Sequence, residues 1–184
     1  MSRKHKIRDQ RSLYFVTFTV IQWIDVFTRN VYRDIIIDSF KFCQQNKGLE
    51  LYAYCIMTNH LHAILGSAGK EKIENIIRDF KKFTSTNIIM EIKNNPEESR
   101  KKWMLKMMAE SGADNSNNKL YQFWQQHNHP LELSDNRIME NTLNYTHENP
   151  VKAGFVTLPE EYLYSSARNY AGMPGTLIDV KFIE

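Results

Sequence analysis

Two of the six histidines in this 184-residue chain, His60 and His62, stand one residue apart in the apolar run MTNHLHAIL. Successive side chains of a β-strand point to opposite faces, so on a strand both imidazoles emerge on one face. Two ring nitrogens placed this way can share one divalent metal ion. Taken alone, the pair favours the alternative interpretation, a half-exposed polar face. A zinc site that includes Cys55 is another alternative, although Cys55 lies across a turn from both histidines.

A metal ion that activates a phosphate needs oxygen ligands and open positions as well as two imidazoles. The segment LNYTHENPVKAG offers a candidate third ligand, because Tyr145 and Asn149 are four residues apart and share one face of a helix. Glu148 is close to that face, whereas His147 points elsewhere. The alternative is that Tyr145 is a core aromatic and Asn149 only precedes the proline that ends the helix.

The elements that would position these residues follow from hydrophobic periodicity and turn residues. Strands are predicted for SLYFVTFTVIQW, LELYAYCIM, LHAILG and LYQFWQQ, the middle two joined by the turn TNH. Helices are predicted for NVYRDIIIDSFKFCQQNKG, KEKIENIIRDFKKFTSTNIIMEIKNN and SDNRIMENTLNYTHENP. We expect the last helix to be capped by Ser134 or Asp135 and closed by Pro150. This order predicts an α+β ferredoxin-like sandwich, with an antiparallel sheet and helices packed on one face.

The length suits one domain, 1–184, with a basic N-terminal arm (1–11), a helical insertion (94–119) and a C-terminal extension (155–184). Apolar residues make up 42% and charged residues 24% of the chain, which argues against a disordered protein. Cys43 and Cys55 are too few for a disulfide framework, so buried thiols are expected. No stretch is apolar enough to span a membrane or to form a signal peptide, and we expect a cytoplasmic protein.

At the level of motifs, YAYCIMTNHLHAIL resembles the His-hydrophobic-His segment of the single-tyrosine HUH transposases, the IS200-like family. YTHENPVKAGFV resembles their Tyr-x-x-x-Asn-Pro-Val helix end. RDFKKFTS, FWQQHNHPLEL and PEEYLYSSARNYAG resemble stretches of the subgroup called REP-associated tyrosine transposases. The resemblance runs from about Ser12 to Gly172. The chain departs from it in the turn MTNH, where members often carry proline, and in the longer 94–119 insertion.

The resemblance implies that His60 and His62 are metal ligands, that Asn149 is the third ligand and that Tyr145 is the nucleophile. It also implies a metal-dependent transposase that cleaves and rejoins single-stranded DNA through a 5′-phosphotyrosine and recognises palindromic hairpins. Mg²⁺ or Mn²⁺ is the expected cation, although two imidazoles and an amide oxygen also accept zinc or nickel. Members of the wider family are dimers with exchanged helices, whereas the subgroup can act as monomers. Either state therefore stays open for this chain.

The predicted DNA contacts are basic and aromatic. The second helix carries Arg78, Lys81 and Lys82, and Trp124 is a candidate for stacking on an unpaired base. The alternatives are a solvated helix face for the cations and a core position for Trp124. No general base for the nucleophile is evident, with Glu148 and His147 only nearby in sequence.

Two other functions compete with the enzyme. One is a noncatalytic, domesticated nucleic-acid-binding module on the same fold. The other is a structural zinc protein, for which a fourth strong ligand is missing. The complete set of His60, His62, Tyr145 and Asn149 favours the enzyme.

Overall fold

The computed structural model describes residues 7–113 and 120–183, in which four strands form one sheet in the order β2-β3-β1-β4. Residues 1–6 of the predicted basic arm and residues 114–119 of the predicted insertion lie outside the described residues. The strands are β1 (Tyr14–Thr19), β2 (Leu49–Ile56), β3 (His60–Ser67) and β4 (Leu131–Glu132). The α-helices are α1 (Asn30–Lys47), α2 (Ile73–Asn94), α3 (Lys101–Ala113), α4 (Asn136–Lys152) and α5 (Ala167–Tyr170). Short 3₁₀ turns occupy Ile21–Trp23, Val26–Thr28 and Pro159–Glu161.

Alternation along β1 explains how the sheet is covered. Tyr14, Val16 and Phe18 are almost fully buried and face α1 and α2, as the two-residue period of a strand requires. Phe80 of α2 closes this core, with its ring centroid 4.6 Å from that of Phe40 and 5.1 Å from that of Phe18. The main core therefore lies between the sheet and the α1–α2 pair.

The other face of the sheet carries a second, smaller apolar cluster. Ala53, Ile64 and Leu133 are its buried members, and α4 packs against them through Ile138, Met139 and Leu143. The antiparallel pairing and the 4-1-3-2 strand order confirm the predicted ferredoxin-like α+β class. The prediction that the helices pack on one face is wrong for α4, which lies across the face opposite to α1 and α2 because this second apolar cluster also has to be covered.

The predicted fourth strand is wrong in position. LYQFWQQ runs beside β1 but makes only an isolated bridge, between Val20 and Trp124. The strand that pairs with the start of β1 is Leu131–Glu132. His129 has a positive φ of 43° and Pro130 has no N–H to donate, so a continuous ladder cannot pass through them.

The last long helix begins as predicted but ends later. The Asp135 carboxylate accepts a hydrogen bond from the Ile138 N–H at 2.9 Å, which makes Asp135 the cap. Pro150 does not close the helix, which continues to Lys152. A proline in the last turn removes only one hydrogen bond, and the helix stops where Gly154 adopts a φ of 74°.

The segments predicted as appendages pack on this framework. Met104 and Met108 of α3 are fully buried in the main core. The C-terminal segment crosses to β2, where the Lys181 N–H donates to the Leu51 carbonyl at 2.9 Å. Cys43 and Cys55 are buried free thiols, as predicted. Among the residues described, no helix has both the length and the apolar character for crossing a bilayer.

Candidate functional site

Strand β3 presents His60 and His62 on the face that α4 crosses. In the β1–β3 register, His62 lies opposite Thr17 and His60 lies opposite Thr19. The two imidazole centroids are 4.8 Å apart. The interpretation that both histidines share one face is therefore correct, and their rings are adjacent.

The His62 ring is only 4% exposed, and its two nitrogens have different surroundings. Nδ1 lies 2.9 Å from Thr17 Oγ1, whereas Nε2 is buried with no hydrogen-bond partner among the described residues. Burial, and secondarily the neighbouring His60, lower the pKa of His62 to about 3. The ring is therefore neutral at physiological pH, and the tautomer that donates Nδ1–H to Thr17 is the one that leaves the Nε2 lone pair available to a metal ion.

The tautomer of His60 follows from its hydrogen-bond partner. Its Nδ1 is 2.6 Å from Asn59 Oδ1, which can only accept, so Nδ1–H is the donor. The orientation of the Asn59 amide is supported at its other end, where Nδ2 donates to the Trp23 carbonyl at 3.4 Å. Burial lowers the pKa of His60 as well. His60 thus keeps Nε2 unprotonated, as His62 does when its Nδ1–H donates to Thr17.

Tyr145 reaches the histidines from α4 of the same chain. Its ring centroid is 5.2 Å from that of His62, at an interplanar angle of 63°. Phe15 of β1 fills the space beside them, stacked on His62 at 5.3 Å and edge-on to Tyr145 at 6.0 Å. With 46% of its surface exposed, Tyr145 remains accessible to a large substrate.

Asn149 is fixed one helical turn after Tyr145. Its Nδ2 donates to the Tyr145 carbonyl at 2.7 Å, which leaves Oδ1 as the atom that could bind a cation. The assignment of Asn149 as the third ligand stays a prediction.

The donor set suits a divalent cation. An orphaned buried ring nitrogen on His62, a second oriented imidazole on His60 and an amide oxygen on Asn149 match the nitrogen and oxygen ligands of such ions. In the described part of the chain, no three His, Cys, Asp or Glu side chains lie together as a metal site. Cys55, the candidate zinc ligand, is buried with its Sγ 3.6 Å from Met57 Sδ. The identity of any metal bound by the two histidines stays a prediction.

The candidate general bases are engaged in other contacts. His147 Nε2 lies 2.9 Å from Ser166 Oγ in a buried pocket, and burial lowers its pKa to about 4. Glu148 pairs with Lys152 at 2.6 Å on the helix surface. Neither side chain makes a described contact with the Tyr145 ring.

The predicted DNA contacts fall into two groups. Arg78 and Lys82 are exposed on α2, although Arg78 also pairs with Asp79 at 3.0 Å. Lys81 is half-buried: its ammonium donates to the Gln125 carbonyl at 2.7 Å, and burial lowers its pKa to about 8. The Lys81 ammonium thus fixes the 125–128 segment by hydrogen bonds.

The role predicted for Trp124 is wrong. Its side chain is 5% exposed, and its indole N–H donates to Thr84 Oγ1 at 3.0 Å. The ring packs beside Phe27 and Phe123, with centroids 5.8 and 4.7 Å away. The core position, which was the alternative, is the correct one.

Sequence reasoning missed the residues that orient the histidines. Phe15 and Thr17 lie in a predicted strand, and their alternation with the buried Val16 was the available signal. In the sequence, Asn59 is recognisable only as part of the turn TNH. Which of these side chains meets a histidine depends on the register between β1 and β3.

The comparisons with known proteins place this chain in a family. The family model described as "Transposase IS200 like" matches residues 10–127, more than half of the chain, including His60 and His62 but not α4. The structure of a REP-associated tyrosine transposase bound to a REP hairpin is similar, with a TM-score of 0.66 and 16% identity over 100% of this chain and 98% of that one.

A putative transposase from Deinococcus radiodurans has a TM-score of 0.38 and 18% identity, over 60% of this chain and 97% of that one. No curated protein matches. The resemblance seen in the motifs is confirmed: this chain belongs to the IS200-like transposase family.

Proposed function

We propose that this protein cleaves and rejoins single-stranded DNA, with Tyr145 as the nucleophile and a 5′-phosphotyrosine as the intermediate. Family membership supports the transposase class. The observation that carries the chemistry is the Tyr145 ring beside His62 in one chain, at 5.2 Å between centroids. A phenol next to two oriented imidazoles is a suitable arrangement for attack on a phosphodiester.

His60, His62 and Asn149 would hold the divalent cation, Mg²⁺ or Mn²⁺. When bound, such an ion supplies positive charge that offsets the charge growing on the phosphate oxygens. The chain contributes orientation: Thr17 and Asn59 fix both imidazoles with Nε2 unprotonated before the ion arrives. Little rearrangement is then needed when the substrate binds.

In the covalent step, Tyr145 Oη attacks phosphorus and the P–O3′ bond breaks. Oη loses its proton to solvent and the leaving 3′ oxygen gains one, so the number of protons and phosphodiester bonds is conserved. Because the bond energy is kept in the phosphotyrosine, attack by another 3′ hydroxyl rejoins the strand without a nucleotide cofactor. Phe15 restricts the Tyr145 ring by edge contact, which favours the orientation for attack.

The proposed partner is a single strand folded into a palindromic hairpin. The hairpin-bound transposase shares this fold, and the exposed cations Arg78 and Lys82 suit a phosphate backbone. Because Tyr145 meets His62 within one chain, a single copy carries all the proposed groups, and a monomer is sufficient.

The test is covalent capture. Wild-type protein and Mn²⁺ are incubated with end-labelled single-stranded DNA that carries the palindromes flanking the gene, and the denatured mixture is examined for a protein–DNA adduct. Wild type and the control Tyr121→Phe, which alters a tyrosine packed on Lys93, should form the adduct. Tyr145→Phe should form none and yet bind the DNA. An equal adduct yield from Tyr145→Phe would refute the assignment.

The same experiment separates the noncatalytic alternative. A domesticated binding module would retain hairpin binding in His60→Ala and His62→Ala, and its wild type would give no adduct with any divalent metal. The enzyme instead loses the adduct in both variants.

A further inference from the structure

An exposed tryptophan stands beside the histidine site. Trp23, at the end of the 3₁₀ turn after β1, has 61% of its surface exposed. Its ring lies edge-on to His60, with centroids 6.1 Å apart and an interplanar angle of 73°. A large aromatic ring left in solvent beside a candidate phosphodiester site is available for a ligand.

The backbone holds this indole in place at an energetic cost. Gln22 and Trp23 both lie in the left-handed region, with φ values of 55° and 56°. Two consecutive non-glycine residues there are unfavourable and persist only when the surroundings over-determine them. The N–H groups on either side are bonded, Ile21 to the Phe123 carbonyl at 2.8 Å and Ile24 to the Ile21 carbonyl at 3.2 Å. Glycine would adopt such a φ value without strain. The backbone conformation therefore does not explain a tryptophan at position 23, whereas a role for its ring would.

A single amide links the tryptophan to the histidine. Asn59 donates from Nδ2 to the Trp23 carbonyl at 3.4 Å and accepts from His60 Nδ1 at 2.6 Å. Asn59 therefore ties the backbone of Trp23 to the His60 ring. Any group bound at His60 has the Trp23 ring as its neighbour.

The chemistry of the proposed substrate, single-stranded DNA, indicates which group would contact the Trp23 ring. In a single strand, the base of a nucleotide next to the reacting phosphate has both faces free, whereas a base inside a duplex is covered on both sides. Aromatic side chains bind such free faces by stacking, without reading the sequence. Trp124, which was predicted for this role, is buried and cannot perform it.

We propose that Trp23 is a stacking platform for an unpaired base adjacent to the phosphate that is cleaved. The inference rests on the proposed function, since it places the substrate of that same site. Trp23 holds the strand beside the histidines, and Asn59 ties the backbone of Trp23 to the His60 ring.

The test measures binding in a Tyr145→Phe background, so that cleavage does not interfere. Single-stranded oligonucleotides carry 2-aminopurine at each position around the cleavage site, and its fluorescence is quenched when it stacks. Trp23→Ala should abolish quenching at one flanking position and weaken binding by about 5- to 150-fold, the loss expected for one stacked base. Trp23→Phe should retain most of both signals. Trp103→Ala, which removes another half-exposed tryptophan on α3, should change neither.

Separate outcomes refute the inference and the function on which it rests. If Trp23→Ala binds as tightly as Trp103→Ala and quenching persists, Trp23 is not a platform. If Trp23→Ala and Trp23→Gly both fail to fold, the residue is structural and the proposal is overturned. If quenching depends on Trp23 while wild type with Tyr145 intact forms no adduct, the stacking site stands and the proposed catalysis fails.

Discussion

The ring of Tyr145 on α4 lies edge-on to the imidazole of His62 on β3, 5.2 Å between centroids, within a single chain. The proposed nucleophile and the proposed metal ligands lie on one chain, so the proposed reaction does not require an exchanged helix. Residues from three elements meet here, because Phe15 of β1 contacts both rings.

Complementation between inactive variants should therefore fail. A mixture of His62→Ala and Tyr145→Phe contains one intact tyrosine and one intact histidine pair, but on different chains. We expect no adduct above the level of either variant alone in the labelled-DNA assay. Mixing each variant with wild type is the control and should leave the wild-type yield intact. Recovery of adduct in the double-variant mixture would show that Tyr145 acts on a partner's histidines.

Thr17→Val should weaken metal binding without touching a ligand. The substitution removes the hydroxyl that lies 2.9 Å from His62 Nδ1 and orients the ring, while keeping the shape of the side chain. Loss of such a partner lowers metal affinity by about 10- to 100-fold. Titration of Mn²⁺ followed by electron paramagnetic resonance would measure it. Thr17→Ser keeps the hydroxyl and should bind Mn²⁺ as wild type does; equal affinities for the valine and serine variants would contradict the assignment.

Substitutions of Lys81 and Lys82, which are neighbours on α2, should affect different properties: fold stability for Lys81 and DNA binding for Lys82. Lys82 is exposed, so Lys82→Ala should leave thermal stability unchanged and reduce the salt dependence of DNA binding by about one phosphate contact. Lys81→Ala should instead destabilise the fold by about 1–3 kcal/mol, because the Gln125 carbonyl and Asn128 Oδ1 lose their donor. Urea unfolding and binding at several salt concentrations distinguish the two, and the reverse pattern would be inconsistent with the structure.

We expect the ion cluster around Glu98 to stabilise the fold at neutral pH and to lose this effect in acid. Its side chain is fully buried between Arg29 and Arg100, at 3.0 and 3.2 Å, and accepts from the Tyr32 hydroxyl at 3.0 Å. Burial raises the pKa of Glu98, but hydrogen bonds from Arg100 and Tyr32 outweigh it and the pKa is lowered. Glu98→Gln should lower the free energy of unfolding at pH 7 by about 1–3 kcal/mol, because Arg29 and Arg100 lose the charged acceptor between them and Arg100 keeps its ion pair with Asp25.

The pH dependence of that difference has a definite sign. Because folding lowers the pKa of Glu98, the unfolded chain takes up a proton first when the pH falls below about 4.3. The contribution is therefore complete above that pH and is lost as the pH falls through the folded pKa. Urea unfolding between pH 7 and pH 3 should show the curves of wild type and Glu98→Gln converging. The exposed neighbour Glu97→Gln should follow wild type throughout, and a constant gap for Glu98→Gln would refute the prediction.

The order of the elements, the class of fold and the common face of His60 and His62 were predictable from the sequence. Each depends on local periodicity, two residues along a strand and 3.6 along a helix, which the residue types display directly. The placement of Tyr145 and Asn149 one helical turn apart and the helix cap at Asp135 were predictable for the same reason, because both depend on local sequence.

Contacts between distant segments were decided only by the tertiary structure. Trp124 and Trp23 are equally aromatic in sequence, yet packing buries the first and leaves the second 61% exposed. Thr17 meets His62 because of the register between β1 and β3, and Tyr145 meets the same ring because α4 covers a second apolar cluster on that face. Local periodicity specifies which face a side chain occupies, but only the packing of whole elements specifies which other side chain it touches there.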